Sequence, residues 1–124
     1  MKILTGFALL LLTCSAYAED AVRTELKRSD ITGTNMEMVI SITEAKPGET
    51  IPRHSHHGEE GIYVLQGATV ETPDGKQIPF KEGATSVNVR DVAHGGIKIV
   101  GDKALKLLTV HAVDKGKPRY EPAK

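Results

Sequence analysis

The chain has 124 residues, with 16 Lys+Arg against 16 Asp+Glu, 40% apolar residues, one cysteine and no tryptophan. That length holds a single domain. Zero net charge, with Lys and Arg scattered among acids, provides no basic face for phosphates and excludes nucleic acid as a partner. The composition is that of a globular domain, neither disordered nor fibrous.

The chain opens with Lys2, an apolar run from Ile3 to Leu12, and then Ala16-Tyr17-Ala18 before the acids Glu19-Asp20. This pattern predicts an export signal over residues 1–18, cut after Ala18. The apolar run is too short to span a bilayer, and the small residues suit signal peptidase. A retained membrane anchor would need apolar sequence beyond Ala18, which is missing. A lipid anchor on Cys14 would follow a poorly suited Thr13. Residues 19–124 are then one exported domain, periplasmic or secreted, with no membrane association once the signal is gone. Cys14 leaves with the signal, which removes disulfides, thiolate nucleophiles and sulfur-rich metal sites from consideration. Lys2 leaves too, so 15 cations face 16 acids.

From Ala21 onward, short segments alternate with turn residues and no long stretch keeps a helical apolar period, which predicts an all-β domain. Met36, Met38, Ile40 and Ile42 alternate with Glu37, Val39, Ser41 and Thr43, as in a strand with one buried face, and Pro47-Gly48 ends it. Strands are expected on both sides of His57-Gly58-Glu59, with Ile62-Tyr63-Val64-Leu65 in the second and Gly67 closing it. Pro73-Asp74-Gly75 has the character of a turn between antiparallel strands. Ser86–Val89 and Leu105–Val113 supply two more strands. The Pro- and Gly-containing tail from Lys115 to Lys124 cannot be a central strand and is expected along the outside. Short strands with regular turns close into a sandwich or small barrel.

Three of the five histidines fall in His54-Ser55-His56-His57, followed by Gly58-Glu59-Glu60. Residues two apart on a strand share a face, so His54 and His56 can hold one ion together while His57 points away. After a reversal at His57-Gly58-Glu59, Glu60 returns on the neighbouring strand with a carboxylate for the same ion. Imidazole and carboxylate without thiolate suit Mn, Fe, Ni, Co, Cu or Zn.

These residues resemble the first motif of the cupins, G-x5-H-x-H-x3-E-x6-G, with Gly48, His54, His56, Glu60 and Gly67 at every required spacing. The second motif, G-x5-P-x-G-x2-H-x3-N, is partly present. Gly83 and His94 stand at the right separation, whereas Val89 replaces the proline, Asp91 the glycine and Lys98 the asparagine. The resemblance spans nearly all of residues 19–124 and is closest to small exported single-domain cupins. It implies a jelly-roll (double-stranded β-helix) barrel with His54, His56, Glu60 and His94 as ligands of one divalent transition metal, Mn or Fe foremost. About two positions of an octahedral ion would remain open.

Other residues are candidates for the same pocket. Glu59 could orient a ligand histidine, although alternation turns it toward solvent. Gln66 and Asn88 are pocket candidates. His111 shares a face with Leu105, Leu107, Thr109 and Val113, and would serve as a pocket acid or base if that face lines the barrel; a rim position satisfied by a carbonyl is the alternative. Leu108, Val110 and Ala112 form an opposite face too apolar to stay in water. Either a homodimer interface or the chain's own N-terminal strand or C-terminal tail should cover it.

With only Tyr63, Phe80 and Tyr120 as aromatics beyond the signal, a stacking platform for sugars or bases is not expected. P-loop, dinucleotide and serine-elbow motifs are missing. The resemblance implies a metal-dependent enzyme with dioxygenase-like chemistry on a small oxygen-bearing molecule. Metal-assisted isomerase or lyase chemistry, or a non-catalytic metal- and ligand-binding module, are the alternatives.

Overall fold

The alternating segments fold as eleven β-strands in a computed structural model that describes residues 20–124. The expected signal and its cleavage site lie outside the described residues. One antiparallel sheet contains β1 (Val22–Asp30), β2 (Met36–Ala45), β10 (Leu105–Asp114), β5 (Gly58–Gln66) and β8 (Thr85–Asn88), in the order β1-β2-β10-β5-β8. The second contains β3 (Thr50–Ile51), β9 (Ile97–Val100), β6 (Ala68–Glu71) and β7 (Gln77–Phe80), in the order β3-β9-β6-β7. The segments β4 (His54–Ser55) and β11 (Glu121–Pro122) pair with each other. The result is the predicted all-β jelly roll. Ala45, Ile51, Val64, Val70, Ile99, Leu105 and Leu107 form its buried core.

The turn at Pro73-Asp74-Gly75 joins β6 to β7, closed by Gly75 N–H donating to Thr72 O at 2.9 Å. The central strands β2, β5 and β10 follow the apolar alternation of the sequence. β1 does not, because it is a charged edge strand with most residues exposed.

Two features sharpen the expectations. The alternation in β2 implies one buried face, and the buried one is Val39, Ser41, Thr43 and Ala45. Met38, Ile40 and Ile42 point outward, because β2 lies in register with β10, where Thr109 and His111 face inward opposite Ser41 and Val39. Period two defines two faces without saying which is inside. The C-terminal tail, none of whose residues is buried, lies along the outside as expected but makes specific contacts there. After Gly116 it runs to β11 against β4, and Ala123 N–H donates to Arg53 O at 3.1 Å. Its residues Arg119 and Tyr120 reach the histidine cluster.

Candidate metal centre

His54 lies on β4, His56 just beyond it, Glu60 on β5 and His94 in the connection between β8 and β9. The two histidine segments are tied by paired backbone bonds, His54 N–H to His94 O at 2.9 Å and His94 N–H to His54 O at 2.8 Å. Asp91 N–H donates to His56 O at 2.9 Å. Asp91 stands where the cupin motif has glycine, and its φ of 57° keeps the left-handed conformation that glycine would supply. Aspartate tolerates that region better than most residues. Gly58 permits β5 to start tightly against β10. A Cβ there would fall 1.9 Å from Ala112 O, so no side chain fits and the register setting Glu60 opposite His111 is preserved.

The three histidines are oriented alike. Each donates Nδ1–H to a backbone carbonyl: His54 to Pro52 at 2.6 Å, His56 to Arg119 at 2.8 Å and His94 to Val92 at 3.1 Å. That fixes the tautomer and leaves each Nε2 with a lone pair. His56 Nε2 lies 3.1 Å from both His94 Nε2 and Glu60 Oε2, and His94 Nε2 lies 3.3 Å from the same oxygen. The ligating atoms of His54, His56, Glu60 and His94 all fall within 4.8 Å of one another and could hold a metal ion. His54, His56 and Glu60 are buried and His94 partly so.

The electrostatics point the same way. Burial pushes the His54 imidazole down to about 4, opposed by its bond to Pro52, so it is neutral at pH 7. Burial works to raise Glu60, but the imidazoles of His111, His56 and His94 outweigh it and hold the carboxyl well below the usual range. Burial resists the imidazolium form of His54, so its Nε2 carries no proton to share with its neighbours. Three Nε2 atoms and a carboxylate converging on one point are satisfied together by one cation. The residues therefore fit a divalent ion.

The other candidates fall into two groups. Asn88 Nδ2 donates to Glu60 Oε2 at 2.8 Å and lines the cavity beside the cluster. Gln66 instead is exposed and donates to Ala104 O at 2.8 Å, at a distance from that cavity. Glu59 is exposed on the outer side of β5, since successive strand residues alternate. His57 faces the tail and bonds Glu121 Oε1 at 3.0 Å. His111 is fully buried on the inner face, with Nε2 3.2 Å from Glu60 Oε1, misaligned for a hydrogen bond. It stands behind Glu60, beside its Oε1, and is not among the residues that line the cavity.

Two contributors escape sequence reasoning. Arg119 supplies the carbonyl that orients His56, and its guanidinium bonds Ser41 Oγ. Tyr120 packs edge-on against His54 and His56, both with ring centroids at 5.2 Å, and closes one side of the cluster. An aromatic preceded by arginine in a Pro-bounded tail was the only signal, and no periodicity connected it to the histidines.

A cavity of about 140 Å³ opens beside the cluster, lined by His54, Glu60, His94, Asn88, Thr43 and Thr109 among others. A larger open depression of about 490 Å³ around Gln66, Glu82 and Lys103 contains none of the ligand residues.

Among solved structures, the chain is similar to a protein from Klebsiella pneumoniae described as an uncharacterized conserved protein with a double-stranded β-helix domain. The TM-score is 0.63 at 20% identity, covering 85% of each chain. A cupin domain from Bordetella pertussis gives a TM-score of 0.56 at 15% identity, over 77% of this chain and 96% of that one. The polyketide cyclase RemF of Streptomyces resistomycificus gives 0.57 at 24% identity, over 86% and 75%. At these identities the likeness establishes the fold. No curated protein matches the chain by sequence. The cupin domain profile matches residues 41–111, from the inner face of β2 to His111, and with more than half of its length so matched the chain belongs to the cupin family.

Proposed function

We propose that the protein is an exported, metal-dependent enzyme in which His54, His56, Glu60 and His94 hold one divalent transition ion, with Mn or Fe favoured. The observation that carries this reading is the convergence of three Nε2 lone pairs and a carboxylate beside a cavity. Three of the four ligands, His54, Glu60 and His94, line that cavity, whereas His56 is sealed behind them. A small molecule entering the cavity therefore meets the ion from one side. The bound ion supplies Lewis acidity and, as Fe or Mn, one-electron redox capacity. The chain's own residues fix the geometry. Backbone carbonyls hold the imidazole tautomers, Asn88 donates to one oxygen of Glu60, and His111 packs 3.2 Å from the other. Ile62, Phe80 and Leu107 limit water in the cavity.

The chemistry we assign first is dioxygenase-like oxidation of a small oxygen-bearing molecule. It is tested by oxygen-electrode measurements on Fe- and Mn-loaded protein with small hydroxy and keto acids. Oxygen uptake that disappears in Glu60→Gln supports the assignment. Turnover that persists without oxygen would replace it with metal-assisted isomerase or lyase chemistry. Ligand binding without turnover would replace it with a binding module.

Residues 1–18 carry the proposed export signal, which directs the protein to the periplasm. We also assign the outer face of β2 and β10 to a homodimer, since neither β1 nor the tail covers it among the described residues.

A further inference from the structure

The cavity beside the ligand cluster contains a cation with no neutralising partner among the described residues. Arg23 on β1 is in register with Thr43, which is buried on the inner face of β2, and both line the cavity with His54, Glu60 and His94. The Arg23 guanidinium lies 4.3 Å from the centroid of the Tyr120 ring. Among the described residues, no carboxylate comes within ion-pair distance of it and no side-chain hydrogen bond engages it. The remaining arginines are all engaged: Arg28 by Glu25 and Glu37, Arg53 by Lys124 O, Arg90 by Asp114 and Arg119 by Ser41 and Glu25. Stacking on Tyr120 restrains the Arg23 side chain without neutralising it, which keeps its donors available.

A second observation concerns Thr109. Its Oγ1 is buried, the residue being 1% exposed, it lines the same cavity, and it has no hydrogen-bond partner. A buried hydroxyl left unpaired is costly, and a ligand oxygen in the cavity would relieve it. The volume of about 140 Å³ is well below that of drug-sized sites. Ile51, Ile62 and Leu107 give part of the wall an aliphatic character suited to a short carbon chain.

We propose that this cavity takes a short-chain carboxylic acid carrying a further oxygen, a 2-hydroxy or 2-oxo acid, with its carboxylate paired to Arg23 and an oxygen accepting from the Thr109 hydroxyl. The proposal specifies the substrate class of the metal-dependent enzyme and rests on that reading for the contact of the further oxygen with the ion. Charge favours the same ligand. A divalent ion beside ionised Glu60 leaves one positive charge and Arg23 adds another, so an anion is drawn in and a neutral molecule is not.

The test is titration calorimetry of purified protein, metal-loaded and metal-free. The probes are glycolate, lactate and pyruvate, with glycolamide, lactamide and pyruvamide as neutral counterparts. The wild type should bind at least one acid about tenfold or more tightly than its amide, the scale of one charge-assisted hydrogen bond. Arg23→Gln should abolish that preference, and Arg23→Lys should retain part of it. Thr109→Val should weaken the acid several-fold, and metal content should be the same in all of these variants. Acids and amides of equal affinity in the wild type, binding by none of the acids, or an undiminished preference in Arg23→Gln would overturn the proposal. Wild-type protein that takes up no metal but still prefers acids through Arg23 would refute the metal centre while sparing the carboxylate site.

Discussion

The inner and outer faces of the five-stranded sheet divide their polarity unusually. Toward the Glu60 end the inner face carries Ser41, Thr43, Thr109, His111 and Glu60, all buried, beside Val39 and Val113, while the aliphatic cluster of Ala45, Val64, Leu105 and Leu107 fills the other end. On the outer face, Met38, Ile40 and Ile42 of β2 lie opposite Ala112, Val110 and Leu108 of β10, Met38 exposed and the others only partly buried. Burying polar groups costs stability unless they are paired, and exposing a contiguous apolar stripe invites association. A barrel selected for stability alone would exchange the two sets. The polar half of the interior is where the ligand cluster sits, and the apolar exterior is the face we assign to a homodimer.

The strongest way to break this comparison is at the inner face. His56→Ala should lower metal affinity well beyond the roughly 100-fold reached by losing an outer hydrogen-bond partner, measured by competition with a chromogenic chelator. Unchanged affinity would remove the inner face's claim to be a metal site. At the outer face, Val110→Asp should weaken a homodimer by about 100-fold, because it buries an unpaired charge. Size-exclusion chromatography with light scattering should show twice the chain mass for the wild type and the single mass for the variant. A monomeric wild type would leave the outer stripe without its proposed partner.

Removing residues 118–124 takes away the Arg119 carbonyl that holds His56 and the Tyr120 ring. Metal affinity should fall by about 10–100-fold with the barrel intact, as judged by circular dichroism and chelator competition. No change would mean that the tail is only a cover.

Acid sharpens the comparison further. His54 titrates near 4 when folded and near 6.5 otherwise, so the unfolded chain binds the extra proton between these values. Stability of the metal-free protein should be full above pH 6.5 and decline as pH falls toward 4, seen as a falling denaturant midpoint. A flat profile over that window would contradict the burial of His54. The smallest effect belongs to Glu59→Ala. Glu59 is exposed and away from the cluster, so stability should stay within about 0.5 kcal/mol and metal affinity should not change.

How much of this was legible in the sequence differs by region. The first-motif spacing brings His54, His56 and Glu60 to one point because short strands and a Gly58 reversal convert spacing directly into geometry. His94 joins them despite three departures from the second motif, since the departure with a backbone consequence, Asp91, retains a left-handed φ. The inward face of β2 was illegible because alternation is symmetric under a change of side, and the polar face proved to be inside. Arg23, Arg119 and Tyr120 were illegible for another reason. They come from the two ends of the described chain, and only long-range pairing of β1 with β2 and β11 with β4 brings them to the cluster.

The central claim is that His54, His56, Glu60 and His94 hold one metal ion. Its most direct test is elemental analysis by mass spectrometry of protein exported to a native-like periplasm, beside His54→Ala prepared identically. One redox metal per chain, lost in the variant, is the predicted result. Metal-free wild type, with no thermal stabilisation on adding Mn, Fe, Ni or Zn, would contradict it.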